Sequence, residues 1–294
     1  MQLADHPYRG RFAPSPTGPL HFGSLVAAVG SYLDAKSQNG KWLVRIEDVD
    51  WQRTVPGAAS EILTALEGFG FEWDEEVAYQ SRRTDVYSNA MNILEQRDLV
   101  YPCACSRKEI ADSSIRGLSG LIYPGTCRHN PPYGKKSYAM RIRVTDAIIS
   151  FSDRIKGRYS QKLSSDIGDF VLRRADGIFA YQLAVVVDDA MQHITHVVRG
   201  ADLLDSTPRQ IFLQQVLDYP TPAYMHLPVV TNLHGEKLSK QTNARPVDVA
   251  DALPLLAKAS HFLGQQPPPE LLQGDVTSFW QWAIQNWQVA SVPG

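Results

Sequence analysis

The chain has 294 residues, 44% of them hydrophobic, a formal net charge of -2 and an isoelectric point near 6.4. That is enough apolar material for one large or two moderate buried cores, and it excludes a globally basic nucleic-acid coat while leaving room for a local basic face. No apolar run approaches the roughly 18 residues of a membrane span, Met1 to Arg11 lacks the apolar centre of a signal peptide, and an odd count of three cysteines argues against a disulfide framework; a cytoplasmic protein is expected.

Ser24 to Lys36 carries Leu25, Val29, Tyr32 and Leu33 at helical spacing, with Ser24 able to cap the helix, so His21 and Gly23 fall at a strand-to-helix turn. Trp42 to Ile46 is short and apolar after Gly40-Lys41 and reads as a strand. Thr54-Val55-Pro56 opens a second helix with the apolar face Ile62, Leu63, Leu66 and Phe69. Thr84 to Arg97 is a third, with Tyr87, Met91 and Leu94 in register. This alternation predicts an α/β sheet with a parallel core.

Residues 101–174 differ. They hold 14 Lys and Arg against 6 Asp and Glu, a balance of +8, so the rest of the chain carries -10. A basic surface that meets a polyanion is one reading and a solvated insertion with chance charge the other. From about Phe179 the α/β pattern resumes, with Ala184 to Val187 and Val197-Val198 expected as buried strands. Pro267-Pro268-Pro269 marks a late turn, and Trp280, Ala283, Ile284 and Trp287 recur at helical spacing as packing residues.

Two distant segments carry chemistry. Pro14-Ser15-Pro16-Thr17-Gly18-Pro19-Leu20-His21-Phe22-Gly23-Ser24 puts glycines and a histidine where a helix begins, and a helix N-terminus offers free backbone donors to an anion. Lys237-Leu238-Ser239-Lys240 puts two cations on a small polar loop. When a carboxylate attacks an α-phosphorus, charge spreads over the leaving pyrophosphate, and catalysis is mostly positioning plus cationic stabilisation. Alone, a His-x-Gly is usually a turn and a Lys-x-x-Lys a solvated loop; together they point to acyl-adenylate formation. All three cysteines, Cys103, Cys105 and Cys127, fall within 25 residues, which suggests structural zinc with Tyr123 or His129 as fourth ligand.

Arg11-Phe12-Ala13-Pro14-Ser15-Pro16-Thr17-Gly18 with His21 and Gly23, Arg45-Ile46-Glu47-Asp48 with Asp50, Val186-Val187-Asp188-Asp189, Arg199-Gly200 with Asp202, and Lys237-Leu238-Ser239-Lys240 together resemble, in order, the catalytic domain of class I glutamyl-tRNA synthetases over residues 9–245. Ser24 replaces the second histidine of that family's HIGH signature, and Leu238 and Gln241 depart from KMSKS. The resemblance implies a Rossmann-type catalytic domain over 1–100 and 179–245, a zinc-stapled, basic, RNA-facing insertion over 101–178, and a short helical segment over 246–294. It implies catalysis by His21, Lys237 and Lys240, with ATP at His21, Gly23, Ser24 and Lys240 and magnesium on its phosphates. Glutamate would lie among Arg11, Ala13, Ser15, Glu47, Tyr181 and Arg199: two arginines suit its two carboxylates and Glu47 its ammonium.

Only 54 residues follow Lys240, too few for the family's anticodon-binding region, so the chain looks like a truncated branch of the family. That branch implies activation of glutamate with ATP without tRNA, then transfer to queuosine in the anticodon of tRNA(Asp). It also favours Tyr123 as fourth ligand of one zinc per chain, in a Cys-x-Cys…Tyr-x-x-x-Cys set. A monomer suffices. The competing readings are a compact synthetase charging the 3′ end of tRNA(Glu) or tRNA(Gln), and a silent paralogue that only binds RNA.

Overall fold

Backbone pairing in a computed structural model, which describes residues 6–113, 115–117, 120–130, 132, 134, 137–231 and 245–294, builds the expected α/β framework. The first half runs β1 (Arg9–Phe12), α1 (Phe22–Lys36), β2 (Lys41–Ile46), α2 (Ala58–Gly68), β3 (Ala78–Tyr79) and α3 (Thr84–Gln96). Next come β4 (Val100–Cys103), α4 (Arg107–Ser113), β5 (Ile115–Gly117), β6 (Gly120–Ile122), α5 (Thr126–His129), β7 (Ala139–Ile142), β8 (Ile148–Asp153), β9 (Gly157–Lys162), α6 (Leu163–Asp166) and β10 (Val171–Arg173). The chain closes with α7 (Tyr181–Met191), β11 (His196–Gly200), α8 (Thr207–Val216), β12 (Ala223–Leu227), α9 (Ala252–Phe262) and α10 (Val276–Gln285).

β1, β2 and β3 pair in parallel, as do β11, β12 and β8, with β9 antiparallel at the far edge. The two groups adjoin where Thr195 N–H donates to Arg9 O at 3.0 Å and Arg9 N–H donates to Thr195 Oγ1 at 2.8 Å. In such a sheet ligands bind beyond the carboxyl ends of the strands. β4, β7 and β10 form a separate antiparallel sheet, and β5 and β6 a hairpin.

Most expected elements appear with shifted ends. α1 begins at Phe22, so Ser24 lies in its first turn and the cap is His21. α2 begins at Ala58 because Gly57, at φ +82°, breaks the chain's course after Pro56. Ala184 to Val187 is not a strand but the buried middle of α7. A short apolar, β-branched run has no periodicity that tells a buried helix from a buried strand.

α1 is the hub. Its Leu25, Val29 and Leu33 join Trp42 and Ile46 of β2, Leu66 of α2, Leu256 of α9, and Phe279 and Trp280 of α10 in one apolar cluster. At Gly30 a Cβ would stand 2.6 Å from Leu227 Cδ1, so any larger residue would force the Leu227 side chain to shift where α1 packs on β12. A second cluster joins Tyr87 and Met91 to Val186 and Val187, and Ile142, Val144, Ile149, Leu163 and Leu172 of the expected insertion belong to it. The packing on that side of the molecule is therefore continuous through much of 101–178.

The charge asymmetry is partly answered internally. Arg154 pairs with Asp34 and Arg174 with Asp50 at 3.2 Å, so basic side chains of the middle segment meet acids of the flanking ones, while Arg128 pairs with Asp169 of the same segment at 2.8 Å. Among the described residues no helix is long and apolar enough to cross a membrane.

The late tryptophans do pack. Trp280 lies against Tyr32 and Phe71 and donates Nε1–H to Phe69 O at 2.9 Å; Trp287 donates to Asp34. Trp280→Ala should lower unfolding stability by about 3–5 kcal/mol through the cavity and the orphaned carbonyl, with Trp280→Phe losing less, as read from denaturant midpoints.

Candidate active site

The carboxyl ends of β1, β2, β11 and β12 open into one cleft of about 920 Å³. Arg11, Ala13, Ser15, Glu47, Tyr181 and Arg199 line it. So do His21, Gly23 and Ser24. All nine described candidates for glutamate and ATP are thus brought together, although they lie up to 188 positions apart in sequence. Lys237 and Lys240 lie outside the described residues. The segment that carries them leaves next to Val230, which lines the cleft, and Pro246 beyond it bridges to His21 while Val247 N–H donates to Leu20 O at 2.9 Å.

The floor is a charged cluster. Arg45, fully buried, sits 2.8 Å from Asp189, 3.3 Å from Glu47 and 3.7 Å from Asp188. Arg11 reaches Asp189 with Nε at 3.1 Å and Nη2 at 3.3 Å. Asp188 also takes hydrogen bonds from Gln80, Arg83 and Tyr87. Three arginines face three acids, as burial of charge requires. Burial alone would raise Asp189, but the charges of Arg11 and Arg45 outweigh it and hold that carboxyl below its usual range. At Glu47 burial wins over the same two arginines and leaves the carboxyl above its usual value. Burial also pushes up the Tyr181 phenol, which stays protonated 3.5 Å from Arg199 Nη1.

At the opposite wall α1 presents its N-terminus. His21 Nδ1 accepts from Ser24 N–H at 3.3 Å, which leaves the ring proton on Nε2, 3.1 Å from Ser24 Oγ. Gly18, at φ +138°, permits the turn that brings the preceding loop back over this end. A helix terminus, a ring donor and a flexible hydroxyl are a fitting set for a phosphate chain.

Sequence reasoning left Arg45 out of the substrate site as a member of an internal salt bridge, and it gave no role to Asp189, although both lie in quoted motifs. It missed His226 and Asp153 altogether. His226 lies behind Arg199, taking its Nε–H at 3.1 Å, and Asp153 lies 2.6 Å from His226 Nδ1. No motif marks either residue, since each belongs to a different strand.

The cysteines converge as well. The sulfurs of Cys103, Cys105 and Cys127 lie within 4.8 Å of one another, a group that could hold a metal ion. The Tyr123 hydroxyl stands 3.4 Å from Cys103 Sγ and 3.5 Å from Cys105 Sγ, under the Arg141 guanidinium, which sits 3.9 Å over its ring. His129 is exposed at the end of α5 and is not one of the group.

The family model for the catalytic domain of class I tRNA synthetases (E and Q) matches residues 8–252. A glutamyl-Q tRNA(Asp) synthetase from Dechloromonas aromatica is 60% identical over 289 residues, covering 98% of this chain and 96% of the relative. One from Aromatoleum aromaticum is 55% identical, with 98% and 91% covered. Among solved structures, a glutamate tRNA ligase from Elizabethkingia meningosepticum in complex with its amino acid superposes with a TM-score of 0.79 at 27% identity, over 97% of this chain and 66% of that one. The chain therefore belongs to the class I tRNA synthetase (E and Q) family and, within it, to the glutamyl-Q tRNA(Asp) synthetases.

Proposed function

We infer that this chain activates glutamate with ATP and transfers it to queuosine in the anticodon of tRNA(Asp). The observation that carries the reading is the cleft itself: two arginines and a glutamate at strand ends, facing a helix N-terminus, in a chain that matches glutamyl-Q tRNA(Asp) synthetases along 98% of its length. Arg199 and Arg11 take the carboxylates of the substrate, Glu47 its ammonium, and Ser15 and Tyr181 add hydrogen bonds. An α-carboxylate oxygen attacks the α-phosphorus of magnesium-bound ATP, the α–β anhydride breaks, and pyrophosphate leaves. A carboxylate is already a nucleophile, so no general base is required. His21 and the α1 terminus hold the phosphates, and Lys237 and Lys240 neutralise the charge that develops. A hydroxyl of the queuosine cyclopentenediol then attacks the adenylate carbonyl and releases AMP. The match to relatives named for a modified tRNA(Asp) favours this acceptor over a tRNA 3′ end.

Zinc fits the cysteine group. Three soft sulfurs and one oxygen in mutual reach suit a closed tetrahedral site. It would staple a stretch whose own apolar core is a handful of side chains. Residues 101–178 then present the RNA-facing part of the enzyme, beside the activating unit formed by 1–100 and 179–245.

Radiolabelled glutamate, supplied with ATP, should enter tRNA(Asp) that carries queuosine and not the unmodified transcript; label on both would move the acceptor to the 3′ end. Lys240→Ala should slow glutamate-dependent ATP–pyrophosphate exchange about 100-fold with an unchanged melting temperature, and a normal exchange rate would remove it from the site. Metal analysis should find one zinc per chain, lost in Cys103→Ser, with transfer to RNA impaired more than exchange. A zinc-free native protein would reject the site.

A further inference from the structure

The orientation of Arg199 is set by a chain of hydrogen bonds running to another part of the sheet. Its Nε donates to His226 Nε2 at 3.1 Å, and its Nη2 donates to Thr207 Oγ1 at 2.9 Å and to Leu203 O at 3.4 Å. That leaves Nη1, whose partner at 3.5 Å is the hydroxyl of Tyr181, another residue that lines the cleft. His226 has no exposed surface, and Asp153, at the end of β8, is 5% exposed.

The tautomer follows from chemistry. A guanidinium has donors and no acceptor, so His226 Nε2 must offer a lone pair, and the ring proton must sit on Nδ1. There it meets Asp153 Oδ2 at 2.6 Å. Asp153 is itself fixed, since its other oxygen accepts from the backbone N–H groups of Ile155 at 3.0 Å, Lys156 at 2.8 Å and His226 at 3.3 Å. Burial pushes the His226 imidazolium below its ordinary value; Asp153 pulls it up, Arg199 adds to the push, and the ring is neutral.

We propose that Asp153 and His226 are positioning residues for glutamate recognition: Asp153 selects the Nδ1–H tautomer of His226, and the Nε2 lone pair so created aims the free edge of the Arg199 guanidinium at the substrate carboxylate. This rests on the reading that Arg199 binds glutamate. No motif or spacing in the sequence points to the pair, which lie 73 positions apart and meet only because Tyr224 of β12 pairs with Asp153 of β8.

Asp153→Asn separates positioning from packing. The three backbone donors require an oxygen where Oδ1 now stands, so the new amide must turn its NH2 toward His226 Nδ1. The ring must then accept at Nδ1 and carry its proton on Nε2, against the Arg199 Nε–H. The substitution is isosteric, yet it places donor against donor beside Arg199. In pyrophosphate exchange we expect the KM for glutamate to rise about 10-fold or more, the scale at which outer partners of ligating groups act, with the KM for ATP within twofold of wild type. In 15N spectra of histidine-labelled wild-type protein, His226 should show a protonated Nδ1 and a bare Nε2. Arg199→Ala is measured alongside. If it raises the glutamate KM and Asp153→Asn does not, the positioning role is overturned while the glutamate site stands. If Arg199→Ala leaves glutamate use unchanged, the site reading fails and the proposal with it. A protonated Nε2 in the wild type overturns the proposal whatever the variants do.

Discussion

Arg45 is the side chain around which the site is arranged. A guanidinium without any exposed surface must be surrounded by acceptors, and Asp188, Asp189 and Glu47 supply them. Those acids in turn draw in Arg11 and Arg83, so β2, the end of β1, α3 and α7 are locked at one place. Breaking any member would leave a buried charge uncompensated, the expensive case. The result is a rigid floor under the cleft. Glu47 keeps a raised pKa because burial outweighs its arginine neighbours, while Asp189 is pinned as an anion that holds Arg11.

Above that floor, backbone geometry does the rest. Parallel strands end on one side of the sheet, so β1, β2, β11 and β12 deliver Ala13, Glu47, Arg199 and Pro228 to the same rim. The support of Arg199 by His226 and Thr207, and of Arg11 by Asp189, leaves each guanidinium with a limited free edge. Two guanidinium groups are thus oriented in advance on the lining of one cleft, which limits the rearrangement that binding of an anion would require. α1 joins the cleft to the core: its N-terminal residues line the cleft, and its buried face, with Gly30 against Leu227, carries α9 and α10 on the sheet.

The charge of the middle segment is partly met within the molecule. Of its excess of +8, Arg154 and Arg174 are engaged by Asp34 and Asp50 of the flanking segments, and Arg128 by Asp169 of its own. Part of the basic balance therefore complements the acidic balance of the flanking segments and fastens the two together. Arg141 and Arg143 lie over the rings of Tyr123 and Tyr101, which frames the cysteine group with cations rather than exposing them.

Local patterns determined a good deal by themselves. The 3.6-residue spacing of Leu25, Val29 and Leu33 and of Tyr87, Met91 and Leu94 located α1 and α3, the apolar run Trp42 to Ile46 located β2, and the motifs named the residues that line the cleft. What periodicity lacks, the sequence could not supply: Ala184 to Val187 is apolar on all sides, and only its enclosure between α3, α8 and the sheet made it a helix. The cap of α1 passed from Ser24 to His21 because a cap is decided by where the helix begins, to the residue. The ion network around Arg45 and the line from Asp153 through His226 to Arg199 were decided by tertiary structure alone. Their members stand on different strands and helices, and nothing but the folding of the sheet brings them within hydrogen-bond distance.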